Sequence, residues 1–75
     1  MTRDEAYEIA KKVKKGIDGG EEWKYAFMFM SSAEDGDVGG SGPCVVIKET
    51  GDAVKWAYYL KIAPDDDEYI GEFDI

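Results

Sequence analysis

The segment from Gly39 to Ile62 constrains the fold of this chain more than any other. A glycine-rich lead-in runs into the apolar stretch Cys44 to Lys48, then into Glu49, Thr50, Gly51 and Asp52, and then into a long alternating stretch. In that last stretch an extended backbone points Val54, Trp56, Tyr58, Leu60 and Ile62 one way and Ala53, Lys55, Ala57, Tyr59 and Lys61 the other. This is the period-two pattern of a strand with one core face. The four residues between the two stretches predict a type I turn, with Gly51 in the left-handed position that closes a bulged hairpin.

The rest of the chain supplies partners for that hairpin. Thr2 and Glu5 have capping-box spacing, acids follow at Asp4 and Glu8, and Lys11, Lys12, Lys14 and Lys15 come where a helix C-terminus favours cations. A helix over about residues 3–15 is expected, stopped by Gly16, with Ala6, Ile9, Ala10, Val13 and Ile17 on its apolar stripe and the lysines in water. Trp23 to Met30 alternates aromatic residues with Lys24, Ala26, Met28 and Met30 and predicts a strand over about residues 23–31, apolar on both faces. Ser31 to Pro43, with four glycines, three acids and a proline, reads as a long loop.

The remaining strands are expected at about residues 44–48, 53–62 and 68–74, the last following Pro64 and the acidic run Asp65 to Glu68, with a terminal helix turn as its rival. Short connections make neighbours antiparallel. The predicted fold is therefore α+β, one domain over residues 1–75, with the N-terminal helix packed on one face of a three- to four-stranded antiparallel meander. One helix covers one face. The other face, apolar in the first two strands, is covered by the loop or the tail, or else serves as an interaction surface.

Composition narrows the function classes. The net charge is −8 and unevenly spread: residues 1–15 hold five basic and three acidic side chains, residues 16–75 four basic and fourteen acidic. A field of that sign disfavours nucleic acid and anionic membrane surfaces and favours basic protein partners. No apolar run is long enough to span a bilayer, and the charged start does not resemble an export signal, so a cytoplasmic protein is expected. The chain has no histidine, which removes the commonest general base and metal ligand, and its single cysteine, Cys44, heads an apolar strand as a small buried hydrophobe. The carboxylates Asp35 and Asp37, and the Asp65 to Glu68 cluster, do not follow the calcium-loop pattern. Gly39, Gly40, Ser41 and Gly42 enter a strand and not a helix, which is the wrong context for a phosphate loop. No catalytic residue, cofactor or metal is expected, and the chain is not expected to be an enzyme.

What remains is protein binding. Acidic residues Asp35, Asp37, Asp65, Asp66 and Asp67 would steer a basic partner, and Met28, Met30 and Tyr59 would grip it, with the row beside Tyr59 being either Ala26, Met28 and Met30 or Phe27 and Phe29. The alternative from another class is a structural domain whose second face is buried in a homodimer.

The aromatic strand Trp23 to Phe29, followed by an acidic glycine-rich loop and then by Gly40, Pro43, Val45 to Ile47, Thr50, Gly51 and Trp56, resembles small bacterial proteins of the immunity protein 35 type. The likeness covers roughly residues 4–60. It implies a protein that binds and neutralises a cognate toxin, and it carries no catalytic residues. The helix and the meander with its Thr-Gly turn are similar also to PepSY-type domains, which are linked to peptidase inhibition and often secreted.

Overall fold

The computed structural model describes residues 1–32 and 42–75. Helix α1 (Arg3–Ala10) leads to strands β1 (Gly19–Trp23), β2 (Ala26–Met30), β3 (Cys44–Ile47) and β4 (Ala53–Lys55), then to helix α2 (Trp56–Ile62) and strand β5 (Tyr69–Asp74). The class is α+β with an antiparallel sheet. The sheet has five strands, in the order β4-β3-β2-β1-β5, with every neighbouring pair antiparallel.

The capping box at Thr2 forms in both directions: Glu5 N–H donates to Thr2 Oγ1 at 3.2 Å and Thr2 N–H donates to Glu5 Oε1 at 2.9 Å. The helix is shorter than its lysine run. After Ala10 the backbone tightens, with Val13 N–H bonded to the Ala10 carbonyl at 3.0 Å, and the apolar stripe loses its period there. Val13, expected in the core, is 68% exposed, whereas Lys14, expected in water, is 5% exposed and donates through Nζ to the Gly42 carbonyl at 2.9 Å.

The predicted strand over 23–31 is two strands. A reversal at Lys24 and Tyr25 separates β1 from β2, which pair from Gly19↔Met30 to Glu22↔Phe27. Two-residue hairpin turns favour residues that accept positive φ, yet positive φ occurs in the described residues only at Gly16, Gly42 and Gly51. This reversal is stabilised from outside, as described below. Gly20 in β1 is needed for space, because a Cβ there would fall on the Met28 carbonyl and 2.7 Å from Phe73 Cζ.

The β3–β4 turn has Gly51 at φ 76°, with Gly51 N–H donating to the Ile47 carbonyl at 2.7 Å and Ile47 N–H to the Asp52 carbonyl at 2.9 Å. The return segment departs from expectation: only Ala53 to Lys55 is strand, and residues 56–62 coil into α2. The reason lies in the strand opposite. Cys44↔Lys55 is the last paired position, and Trp56 N–H then takes the Pro43 carbonyl at 3.2 Å. Beyond it Pro43 has no N–H to offer, and Gly42 at φ 73° turns the chain out of extended geometry. Backbone groups without a ladder partner satisfy one another within a helix. Pro64 then stops that helix by holding Ala63 at φ −60°, ψ 136°.

Two cores result, one on each side of the sheet. Ala6 and Ala10 of α1 pack on Phe27, Phe29, Cys44 and Val46, joined by Phe73 of β5. On the other side Tyr59 of α2 packs on Ala26, Met28 and Val45. Because β4 and β5 occupy opposite edges of the sheet, the chain between them crosses this second face, and α2 is part of that crossing.

Candidate functional site

The helix turns the predicted facing of residues 56–62 inside out. Trp56, Tyr58, Leu60 and Ile62, assigned to the core by alternation, are 43%, 54%, 59% and 45% exposed, while Tyr59, assigned to the outer face, is 6% exposed. At about 100° per residue, position 59 alone in the middle of the helix faces the sheet squarely, and its neighbours fan out around the cylinder. The result is a seven-residue helix that is nearly all apolar and largely in water.

Between this helix and the sheet lies an apolar cleft of about 140 Å³, lined by Trp23, Ala26, Met28, Val45, Trp56, Tyr59, Leu60, Ala63 and Asp67. Trp56, Tyr59, Leu60 and Ala63 have the i, i+3, i+4, i+7 spacing of one helical face. That spacing is present in the sequence within the alternating pattern and is the signal that could have revealed both helix and cleft. A volume of this size accepts one ring or branched aliphatic group, and is well below the roughly 300 Å³ at which cofactor sites begin.

The acidic run after Pro64 closes one end of the cleft. Asp66 Oδ2 accepts from the Tyr25 hydroxyl at 2.7 Å and pairs with Lys24 Nζ at 3.2 Å. Asp67 Oδ1 accepts from Tyr25 N–H at 3.2 Å and its Oδ2 from the Tyr59 hydroxyl at 2.7 Å, while Lys24 N–H donates to the Glu68 carbonyl at 2.8 Å. Both amides of the Lys24–Tyr25 reversal are thereby satisfied by residues forty or more positions away in sequence, which accounts for a hairpin turn that carries no turn residue. The hydrogen bond from Tyr25, with Lys24 second, holds the Asp66 carboxyl below its ordinary range. Burial, then the bond to Asp67, pushes the Tyr59 hydroxyl well above its own.

The residues expected to contact a partner are therefore distributed unequally. Met28 is the floor of the cleft at 8% exposed, Met30 is half-buried beside it, and Tyr59 is its wall and not an exposed ring. Asp66 and Asp67 are engaged with the hairpin reversal and with Tyr59, and Asp65 is exposed. Asp35 and Asp37 lie outside the described residues. Sequence reasoning missed Trp56 and Leu60 as surface residues, and Glu21 and Glu72, which stand opposite each other on β1 and β5. Glu21 precedes the expected start of the first strand, so its facing had no register to define it.

Cys44 is buried, and burial raises its thiol pKa, with Lys14 opposing. Among the described residues no three acids or cysteines converge as a metal site, and no helix is long and apolar enough to cross a membrane. Comparison of the chain with protein-family models, with curated proteins and with solved structures finds no match.

Proposed function

We propose that this protein is a non-enzymatic protein-binding module whose contact surface is the exposed apolar side of α2 and the cleft beneath it. One observation carries the reading: four large apolar side chains of a single seven-residue helix stand in water, and two of them, Trp56 and Leu60, line a cleft sized for one side chain. Exposed apolar patches rimmed by polar groups are characteristic of interaction sites, and well-packed interfaces centre on an anchor residue in a pocket. The lack of any histidine, and the engagement of Asp66 with Tyr25 and of Asp67 with Tyr59, support binding over catalysis.

The most specific form of the proposal is a cytoplasmic immunity protein that neutralises a cognate toxin, on the resemblance carried by Trp23 to Phe29, Pro43, Thr50, Gly51 and Trp56. Co-expression tests it. The wild-type chain is expected to rescue growth from the toxic product of a reading frame encoded beside it, and Leu60→Asp is expected to abolish rescue while leaving the urea midpoint unchanged. Rescue from no neighbouring product would sink the immunity assignment. Undiminished rescue by Leu60→Asp and Trp56→Ser together would move the contact surface away from α2.

A further inference from the structure

The second face of the sheet carries two unlike halves side by side. Val54, Val45, Met28, Glu21 and Glu72 are successive Cα partners across all five strands, so their side chains share one face in a single row. The row is apolar beneath α2 and acidic beyond it. Glu21 and Glu72 stand directly opposite each other, a like-charge placement that disfavours the pairing of their strands. Among the described residues neither forms an ion pair, and Glu21 accepts one hydrogen bond, from Trp23 Nε1 at 3.3 Å. Tyr69 stands on β5 opposite Trp23 and beside the acid pair, its ring edge-on to that of Trp23 with centroids 5.5 Å apart, and its hydroxyl pKa is raised by partial burial and then by Glu72 and Glu21. Trp23, which donates to Glu21 and lines the cleft, joins the acid pair and the cleft into one surface.

We propose that this surface docks a basic segment of a protein partner, placing one aromatic or large aliphatic side chain in the cleft and an Arg or Lys against Glu21 and Glu72. The inference rests on the protein-binding reading and names the chemistry of its partner. Neighbouring strands are about 4.8 Å apart, so Glu21 and Glu72 lie roughly 5 and 10 Å from the Met28 position across the sheet. Residues i and i+2 of an extended segment fall on one side about 7 Å apart, so an apolar residue followed two positions later by a cation matches that spacing. A second copy of this chain is the poorer occupant, since it carries a charge of −8 and brings its own glutamate pair. A divalent cation is poorer too, because two carboxylates without a third ligand do not make its coordination shell.

The test titrates isotope-labelled protein with three blocked peptides: Gly-Phe-Gly-Arg-Gly-Arg-Gly, the same with both arginines replaced by glutamine, and the same with phenylalanine replaced by alanine. The first is expected to shift the indole N–H signals of Trp23 and Trp56 and to bind about tenfold more tightly than either of the others at low salt. That advantage is expected to vanish in about 0.5 M salt and in the Glu21→Gln, Glu72→Gln double variant, whose fold loses only a repulsion. Equal binding of the arginine and glutamine peptides would overturn the basic-partner inference and leave the apolar docking surface standing. Shifts confined to the β3–β4 turn, or no shift with any peptide, would overturn both. A sedimenting dimer whose formation hides the two indoles would replace the partner with a second copy and overturn the inference alone.

Discussion

The Tyr59 hydroxyl donates to Asp67 Oδ2 at 2.7 Å, and this bond ties α2 to the turn that also holds the β1–β2 reversal. Tyr59 is the buried residue of α2, so the helix rests on one ring and one hydroxyl. Tyr59→Phe is expected to cost about 1–2 kcal/mol by leaving a half-buried carboxylate oxygen without its donor, and Tyr59→Ala about 3–5 kcal/mol through the cavity it leaves. Urea unfolding measures both. Equal midpoints for wild type and Tyr59→Phe would show that the hydroxyl contributes nothing.

Two glycines make opposite predictions from the same substitution. A Cβ at Gly20 collides with the Met28 carbonyl and the Phe73 ring, whereas a Cβ at Gly71 meets nothing within 4 Å. Gly20→Ala is therefore expected to lower stability by more than about 2 kcal/mol and Gly71→Ala to leave it unchanged or raise it by up to about 1 kcal/mol. Thermal melts of the two variants provide the comparison.

Acid should loosen the Lys24–Tyr25 reversal through Asp66. Its carboxyl is depressed by Tyr25 and then by Lys24, so its contribution is fully present above the unfolded value near 3.9 and is lost as pH falls through the lower folded value. Asp18, lowered by its bonds from Ser32, has the same sign. Tyr59 has the opposite sign. Its hydroxyl is raised on folding, so its contribution is complete below the unfolded value near 10 and declines as pH rises beyond it. Stability measured against pH should therefore decline at both ends, with Asp66→Asn flattening the acid limb and Tyr59→Phe the alkaline limb. A variant that follows the wild-type curve would remove its residue from the linkage.

Cys44 should report opening of the α1 face. It is 8% exposed, burial raises its thiol pKa, and it packs in the cluster with Ala6, Ala10 and Phe29. Labelling by a thiol reagent at neutral pH is expected to be at least about a hundredfold slower in the native protein than in urea. A native rate equal to the unfolded rate would contradict its burial.

The α1 capping box and the Gly51 turn were legible because each is a local device, set by residues three or four apart. The two-residue spacing of Phe27 with Phe29 and of Cys44 with Val46 is a property of each strand, but both faces of those strands are apolar, and which one meets α1 was set by register. The candidate site was legible in part. Met28, Met30 and Tyr59 do fall together on the second side of the sheet, but Met28 and Tyr59 are floor and wall of a cleft and Met30 packs on the same cluster, whereas Trp56 and Leu60 had been placed in the core. Two patterns overlay each other in residues 53–63, and the period-two pattern is the longer one. What chose between them was the length of β3, which ends its pairing at Cys44↔Lys55.

By itself the sequence determined the fold class, the opening helix cap, the hairpin turn and the acidic balance. Each of these depends on near neighbours or on totals. Tertiary structure alone decided that Asp66 and Asp67 support the Lys24–Tyr25 reversal, that Glu21 meets Glu72, and that residues 56–62 are helix. The first two depend on partners found across the sheet, over separations that no local pattern encodes, and the third on which of two overlaid local patterns the end of β3 allows.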